Sequence, residues 1–341
     1  MNQKLLPIVI TILFLVAFCP PQIFAQGKFS GYMFGDYYYI LTHNNSDLKA
    51  QNGFWFRRIY FTYDYKITDE WSTRFRLELH SPGDFKTKDS IKPFVKDAYL
   101  QWKKKTQNII LGISPTPTWE YIEGFWGYRS VEKTPLDLYK MGDSRDFGIA
   151  FRGSLGKKEL FSYHIMFANG EGVKSEVNKE KKFMGSFLFK PLKRLSFELY
   201  GDFAQGASHR NYWTYQGFLG WKGERARVGI QYAHQIRQQG EGKEDLKIDV
   251  LSIIGAIDAS EKVALFFRYD RMDDSLPAGP TISYVPMNGT APFHMVMGGL
   301  DFHPLKNVKF IPNIMIVNYD EAKGTKPEND IYIKLTFFFS F

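Results

Sequence analysis

The chain has 341 residues, with 44 Lys and Arg against 36 Asp and Glu, a formal charge of +8 and a mean hydropathy of −0.30. It holds 20 Tyr, 31 Phe and 7 Trp but one Cys, and after its first segment no apolar run reaches the roughly 18 residues a spanning helix needs. A helical membrane protein is thereby excluded.

The first expected element is an export signal, residues 1–25. Lys4 supplies a basic start, residues 5–18 an apolar run broken only by Pro7 and Thr11, and Ala25 a small residue at a cleavage point before Gln26. Cys19 raises a lipoprotein alternative, but Phe18 stands where a small residue would precede a lipidated Cys. Cleavage after Ala25 removes Cys19, so the mature chain, residues 26–341, can form no disulfide, thiolate metal site or cysteine nucleophile. Losing Lys4 takes the charge from +8 to about +7, which fits either a solvated surface or a lumen biased toward anions.

From there on the pattern is period-2 alternation in segments of about ten residues, the signature of a transmembrane β-barrel, in which only alternate residues face lipid. In residues 71–79, Thr73, Phe75, Leu77 and Leu79 oppose Ser72, Arg74, Arg76 and Glu78. In residues 194–203, Leu195, Phe197, Leu199 and Phe203 oppose Arg194, Ser196, Glu198, Tyr200 and Asp202. In residues 262–270, Val263, Leu265, Phe267 and Tyr269 oppose Lys262, Ala264, Phe266, Arg268 and Asp270. Charge on one face and aromatics on the other suit a watery lumen. In residues 246–257 the phase is ambiguous, because Leu246, Ile248 and Val250 run into Leu251.

Short polar turns are expected near residues 68–70, 104–106, 156–158, 191–193, 222–224, 259–261 and 304–306. Longer polar stretches are centred near 47, 86, 130, 175, 208, 242, 282 and 325. Seven tight turns alternating with eight long loops give about sixteen antiparallel up-and-down strands, with both termini on the tight-turn side. Trp55, Trp71, Trp102, Trp213 and Trp221 fall near strand ends, where interfacial girdles sit. Gly31, Gly35, Gly148, Gly153, Gly217, Gly220, Gly298 and Gly299 read as strand glycines that ease curvature or aromatic packing. Pro312 removes a ladder donor inside the expected fifteenth strand, and a bulge there would absorb it.

The third long loop, residues 114–145, stands apart. It carries Trp119, Tyr121, Phe125, Trp126, Tyr128 and Tyr139, more apolar surface than an external loop needs. Folding inward against the wall would bury that surface and narrow the pore; capping the outside is the alternative. The last strand is the clearest: Ile331, Ile333, Leu335, Phe337, Phe339 and Phe341 on one face, Tyr332, Lys334, Thr336, Phe338 and Ser340 on the other. Phe337, Phe339 and the terminal Phe341 resemble the signal by which barrel-assembly machinery recognises such proteins.

Candidate wall donors facing in are Arg58, Arg74, Arg76 and Arg152, with Glu120, Glu123, Arg129, Lys133 and Arg145 on the loop side of the constriction. Arg194, Arg227, Arg268 and Lys334 can be drawn inward too, as can Asp64, Glu78, Asp97, Glu198, Asp202, Asp270 and Asp301. Catalytic, metal and cofactor chemistry has no footing. The seven His are scattered, the Ser162/His164 and Ser208/His209 pairs lack an orienting partner, and no nucleotide-binding glycine loop exists. An exported barrel also makes nucleic acid implausible as a partner.

Several stretches carry a family resemblance: residues 56–60 (Phe-Arg-Arg-Ile-Tyr) before the turn at 67–69 (Ile-Thr-Asp), residues 97–102 (Asp-Ala-Tyr-Leu-Gln-Trp), residues 112–117 (Gly-Ile-Ser-Pro-Thr-Pro), residues 126–129 (Trp-Gly-Tyr-Arg) and residues 169–172 (Asn-Gly-Glu-Gly). In that order they resemble the sixteen-stranded bacterial porins, most closely the phosphate-selective porin O/P-like family. The resemblance implies an outer-membrane homotrimer with a constricting third loop, and in some members phosphate passage along basic lumen residues. The mixed charge of the lining departs from a one-sided basic track. The expected function is passive diffusion of small hydrophilic solutes, phosphate or other anions among them, through a barrel in contact with outer-membrane lipids. The rivals are a barrel enzyme acting on lipids and a closed structural or adhesive barrel.

Overall fold

The computed structural model describes residues 27–156, 160–275 and 285–341. The expected export signal, Lys157 and Lys158 of one expected turn, and the centre of the expected seventh long loop lie outside them. Alternation of apolar and polar residues drives the described chain into strands. The first eight are β1 (Gly27–Thr42), β2 (Asn52–Lys66), β3 (Trp71–His80), β4 (Lys92–Lys104), β5 (Gln107–Pro115), β6 (Arg145–Leu155), β7 (Phe161–Ala168) and β8 (Lys182–Leu192). There follow β9 (Leu195–Ala204), β10 (Tyr212–Lys222), β11 (Ala226–Arg237), β12 (Leu246–Asp258), β13 (Val263–Met272), β14 (Phe293–Leu305), β15 (Val308–Tyr319) and β16 (Asp330–Ser340).

Each strand pairs antiparallel with its sequence neighbours, and β1 pairs with β16 to close a sixteen-stranded barrel. Closure leaves no strand edge unpaired. At the seam Phe34 lies opposite Phe338, and Gly31 and Phe341 exchange backbone hydrogen bonds of 3.0 and 2.9 Å. The final aromatic residue is thus zipped to the first strand. On β16 Ile333, Leu335 and Phe339, and just beyond it Phe341, are exposed on the outer surface, while Tyr332, Lys334 and Thr336 are buried inside. The same alternation holds on β3, β9 and β13 in the phase read from the sequence. Two tight turns sit slightly later than expected, because Leu192 pairs with Leu195 and Leu305 with Val308.

The ambiguous twelfth strand keeps one phase throughout: Ile248, Val250, Ser252, Ile254 and Ala256 all point inward. Both of its faces are largely apolar because the lumen on this side is filled with protein. Inward residues of β12 to β16, among them Phe266, Met295, Met297, Met315 and Val317, join one buried cluster with residues of the third loop. The lumen is therefore two-sided, with an apolar wall packed against the loop and a charged wall on β2 to β6.

Pro312 faces outward and makes no bulge at its own position. Its pairing to β16 is regular, with Leu335 opposite, and on the β14 side pairing lapses at Leu300 and Asp301 and resumes in the same register at Phe302. An outward residue lacking an N–H costs the ladder one rung, not its register. The register shift lies further on, between Phe302 and Leu305.

Candidate functional site: the constricted lumen

Between Pro115 and Arg145 the chain leaves the wall and turns into the barrel, forming two short helices, α1 (Trp119–Trp126) and α2 (Pro135–Leu138). Helix α1 is amphipathic. Trp119, Ile122, Phe125 and Trp126 are buried, and Gly127 ends the helix in the left-handed conformation (φ 74°). Phe125 enters a shallow pit in the wall made by Gly220 on β10 and Gly229 on β11, which lie opposite each other. A Cβ at Gly220 would stand 2.6 Å from the Phe125 ring. Trp126 and Tyr128 pack on Phe266, whose centroid is 4.2 Å from that of Tyr128.

Hydrogen bonds fix the loop at both ends and in the middle. Thr118 Oγ1 donates to Glu198 Oε2 (2.6 Å) and accepts from Gln216 Nε2 (2.6 Å). Arg57 Nη1 donates to the Val131 carbonyl (2.7 Å), Gln235 Nε2 to that of Met141 (2.6 Å), and Arg237 Nη2 to that of Lys140 (2.6 Å). Arg268, fully buried and paired with Asp270, donates to the carbonyl of Lys133. These partners satisfy loop carbonyls that burial would otherwise leave without water. The inward fold expected for this loop is what the structure adopts.

The predicted site residues divide into three groups. On the charged wall, Glu78 is bridged by Arg58 and by Lys96 (3.1 Å), and Asp97 by Arg145 and by Arg76 (3.2 Å). On the loop, Arg129 pairs with Glu123 (3.1 Å) and faces Asp137 (3.7 Å), which Lys133 also contacts (3.0 Å). Toward the tight turns, Arg152 pairs with Glu120, and Arg74 grips Asp64 through two bonds of 2.7 and 3.0 Å. Two expectations need correction. Lys133 is only 3% exposed and sits between loop and wall instead of lining the path. Arg194 stands in a tight turn, paired with Glu224 at the mouth of a cavity that Glu120 and Tyr121 also line, and not on a strand of the wall.

Three interior side chains escaped the alternation rule. Register shifts between β1 and β2 and between β3 and β4 leave Arg57 and Lys96 as the extra residues of two bulges. Each bulge flips the phase, so Arg57 and Arg58, and likewise Lys96 and Asp97, are neighbours that both turn inward. Trp55 consequently points in as well, donating its indole N–H to Asp36 (2.9 Å) instead of joining an interfacial girdle. Paired adjacent charges in an otherwise alternating strand were the available signal.

Several cavities border the loop, two of them with most of the predicted charges. One of about 390 Å³ lies between α1 and the β1–β16 seam, with Arg76, Arg145, Lys309 and Arg129 around it and Glu120 and Glu123 as its acids. The other, about 540 Å³, opens toward the tight turns between β4 and β9 and includes Arg152, Lys103, Lys105 and Glu198. His164 and Ser162 line this second cavity, so that pair lies inside the barrel and not on the outer wall that a lipid-processing site would require.

Burial shapes the ionisation of the loop. It pushes the Glu123 carboxyl up against the pull of Arg129, and pushes Lys133 down to about 8 despite Asp137 beside it. Asp137 is held below the usual carboxylate range: Lys133 and Arg129 outweigh its own burial. A lysine depressed in the folded state gains stability for the fold as pH rises through its folded value toward the ordinary lysine range. Thermal unfolding of the wild-type barrel relative to Lys133→Met should accordingly shift in favour of the wild type between pH 7 and pH 10. A pH-independent difference would show that Lys133 is not held as described.

No family model matches the chain, and no curated protein does. Among solved structures, it is similar to an anion-selective porin from Comamonas acidovorans (TM-score 0.67, 13% identity, 93% of this chain and 100% of that one). It is also similar to OmpF of Salmonella typhi (TM-score 0.66, 11% identity, 93% and 98%) and to the outer membrane channel DcaP of Acinetobacter baumannii (TM-score 0.64, 12% identity, 92% and 97%). At these identities the likeness speaks to architecture: the chain has the sixteen-stranded fold of bacterial outer-membrane porins.

Proposed function

We propose that the protein is a passive diffusion channel of the bacterial outer membrane, narrowed by residues 116–144 and preferring anions. The observation that carries the preference is the doubling of cations on each wall carboxylate. Arg58 and Lys96 both bridge Glu78, and Arg76 and Arg145 both bridge Asp97, so each of these two carboxylates carries two positive groups. In a narrow lumen of low dielectric walls such an excess focuses field and favours anions. Because every cation already has an acid partner, a passing anion meets weak and distributed attraction, which passage requires. Phosphate is one such anion, without a dedicated one-sided basic track to single it out. A homotrimeric assembly, insertion through the C-terminal Phe337, Phe339 and Phe341, and the absence of catalysis belong to the same reading.

The test is single-channel conductance of the mature protein in a planar bilayer, with reversal potential under a KCl gradient. Stable steps with a chloride-selective reversal support the reading, and Arg76→Gln with Arg145→Gln should move the reversal toward zero or past it. Silence from folded barrels would sink the channel, and cation selectivity of the wild type would sink the anion preference.

A further inference from the structure

The throat cavity has a second character that charge alone does not use. Its wall side is a row of aromatic rings on the seam: Tyr32 stacks on Tyr60 at 4.4 Å, lies 5.9 Å from Phe338, and runs nearly parallel to Phe34 (6.5 Å, 9°). Tyr32, Phe34 and Phe338 all border the 390 Å³ space. Across from them the loop presents no bulk: a Cβ added to Gly124 would meet nothing within 4 Å. The cations Arg76, Arg145 and Lys309 stand at the margin of this ledge. A space of this size, apolar on one side with a few convergent charges, has the make-up of a small-molecule site.

Such a throat suits one kind of anion and not another. Inorganic phosphate carries its charge on every side and must exchange hydration for donors all round, which an aromatic ledge cannot supply. A multivalent anion also meets Glu120 and Glu123 across the same space. A monocarboxylate on a flat apolar body can lay its ring on Tyr32 and Phe338 and leave its charge at the arginine margin. Resting on the channel reading, we propose that the throat favours small carboxylates with flat apolar bodies, aromatic acids above all, over inorganic phosphate and over short aliphatic acids.

Full-length mature protein in planar bilayers tests this with three probes: benzoate, acetate and inorganic phosphate. Bi-ionic reversal potentials against chloride should give benzoate a permeability several-fold above its free-diffusion expectation relative to acetate, and millimolar benzoate should interrupt chloride current where phosphate does not. Tyr32→Ser should bring the benzoate-to-acetate ratio down by at least about threefold. Tyr32→Leu, which keeps an apolar side chain but no flat face, should lie between, and it carries the test if the serine variant does not fold. An anion-selective channel in which benzoate and acetate follow free diffusion, or in which phosphate interrupts the current and benzoate does not, overturns this proposal and leaves the channel standing. A folded barrel without current overturns the channel itself.

Discussion

Replacing Arg268 with Ala is expected to release the third loop and raise single-channel conductance, with open-channel noise that the parent lacks. The guanidinium is fully buried, holds Asp270 and donates to the backbone of Lys133. Its removal strands the Asp270 carboxylate with only the hydroxyls of Ser252 (2.6 Å) and Tyr139 (2.5 Å). Breaking a buried pair from one side costs about 3–5 kcal/mol, more than the loop's remaining anchors are expected to absorb. Trypsin supplies an independent reading, since Arg129, Lys133 and Lys140 lie in the loop and should become cleavable once it undocks. Arg225→Ala, in an exposed tight turn, should leave both current and cleavage as in the parent. A loop that stays protected in Arg268→Ala would show that apolar packing alone holds it.

Filling the throat should act in the opposite direction. Gly124 lies in α1 beside the throat cavity, with open space where a Cβ would project, so Gly124→Trp is expected to add an indole to that space. The helix itself should tolerate the change, because an interior Gly disfavours helix by roughly 0.5–1 kcal/mol relative to Ala. Conductance should fall to about half or less, with unchanged heat stability of the barrel. Gly220→Ala makes the converse case. Its new methyl would crowd the Phe125 and Phe218 rings, so displacement of Phe125 is expected to loosen the loop and raise conductance. Two glycine substitutions within the same contact zone that changed current in the same direction would contradict the placement of α1.

Much of this architecture was legible because a barrel repeats one rule. Alternation on β3, β9, β13 and β16 assigned inside and outside, and the turn residues assigned the strand count, since each of these signals is local in sequence. The inward fold of residues 116–144 was legible from their aromatic content alone. What could not be read arose where neighbours override the local pattern. The twelfth strand looked ambiguous because the loop packs against its inner face, so Ile248, Val250 and Ile254 are as apolar as the lipid-facing residues beside them. Arg57 and Lys96 were missed because strict alternation was applied across bulges that the partner strand's register sets, and the adjacent charges Arg57-Arg58 and Lys96-Asp97 were the one local hint. Both missed residues are cations inside the barrel, and Lys96 is half of one doubled pair from which the anion preference is argued. The departures from alternation thus coincide with the charged wall.

The loop that narrows the barrel is made early in the chain, between β5 and β6, yet its seat is built from the other end. Phe125 needs β10 and β11, Trp126 and Tyr128 need Phe266 of β13, and Arg57 reaches it from β2. Contacts so distant in sequence cannot form until the strands that carry them are in place. Order in time follows from this. Until β10, β11 and β13 have joined the sheet, residues 116–144 lack the partners they settle on, so the throat is expected to form late in assembly. An assembly intermediate arrested before β13 joins is therefore expected to hold residues 116–144 loose, open to protease from the side that later becomes the lumen.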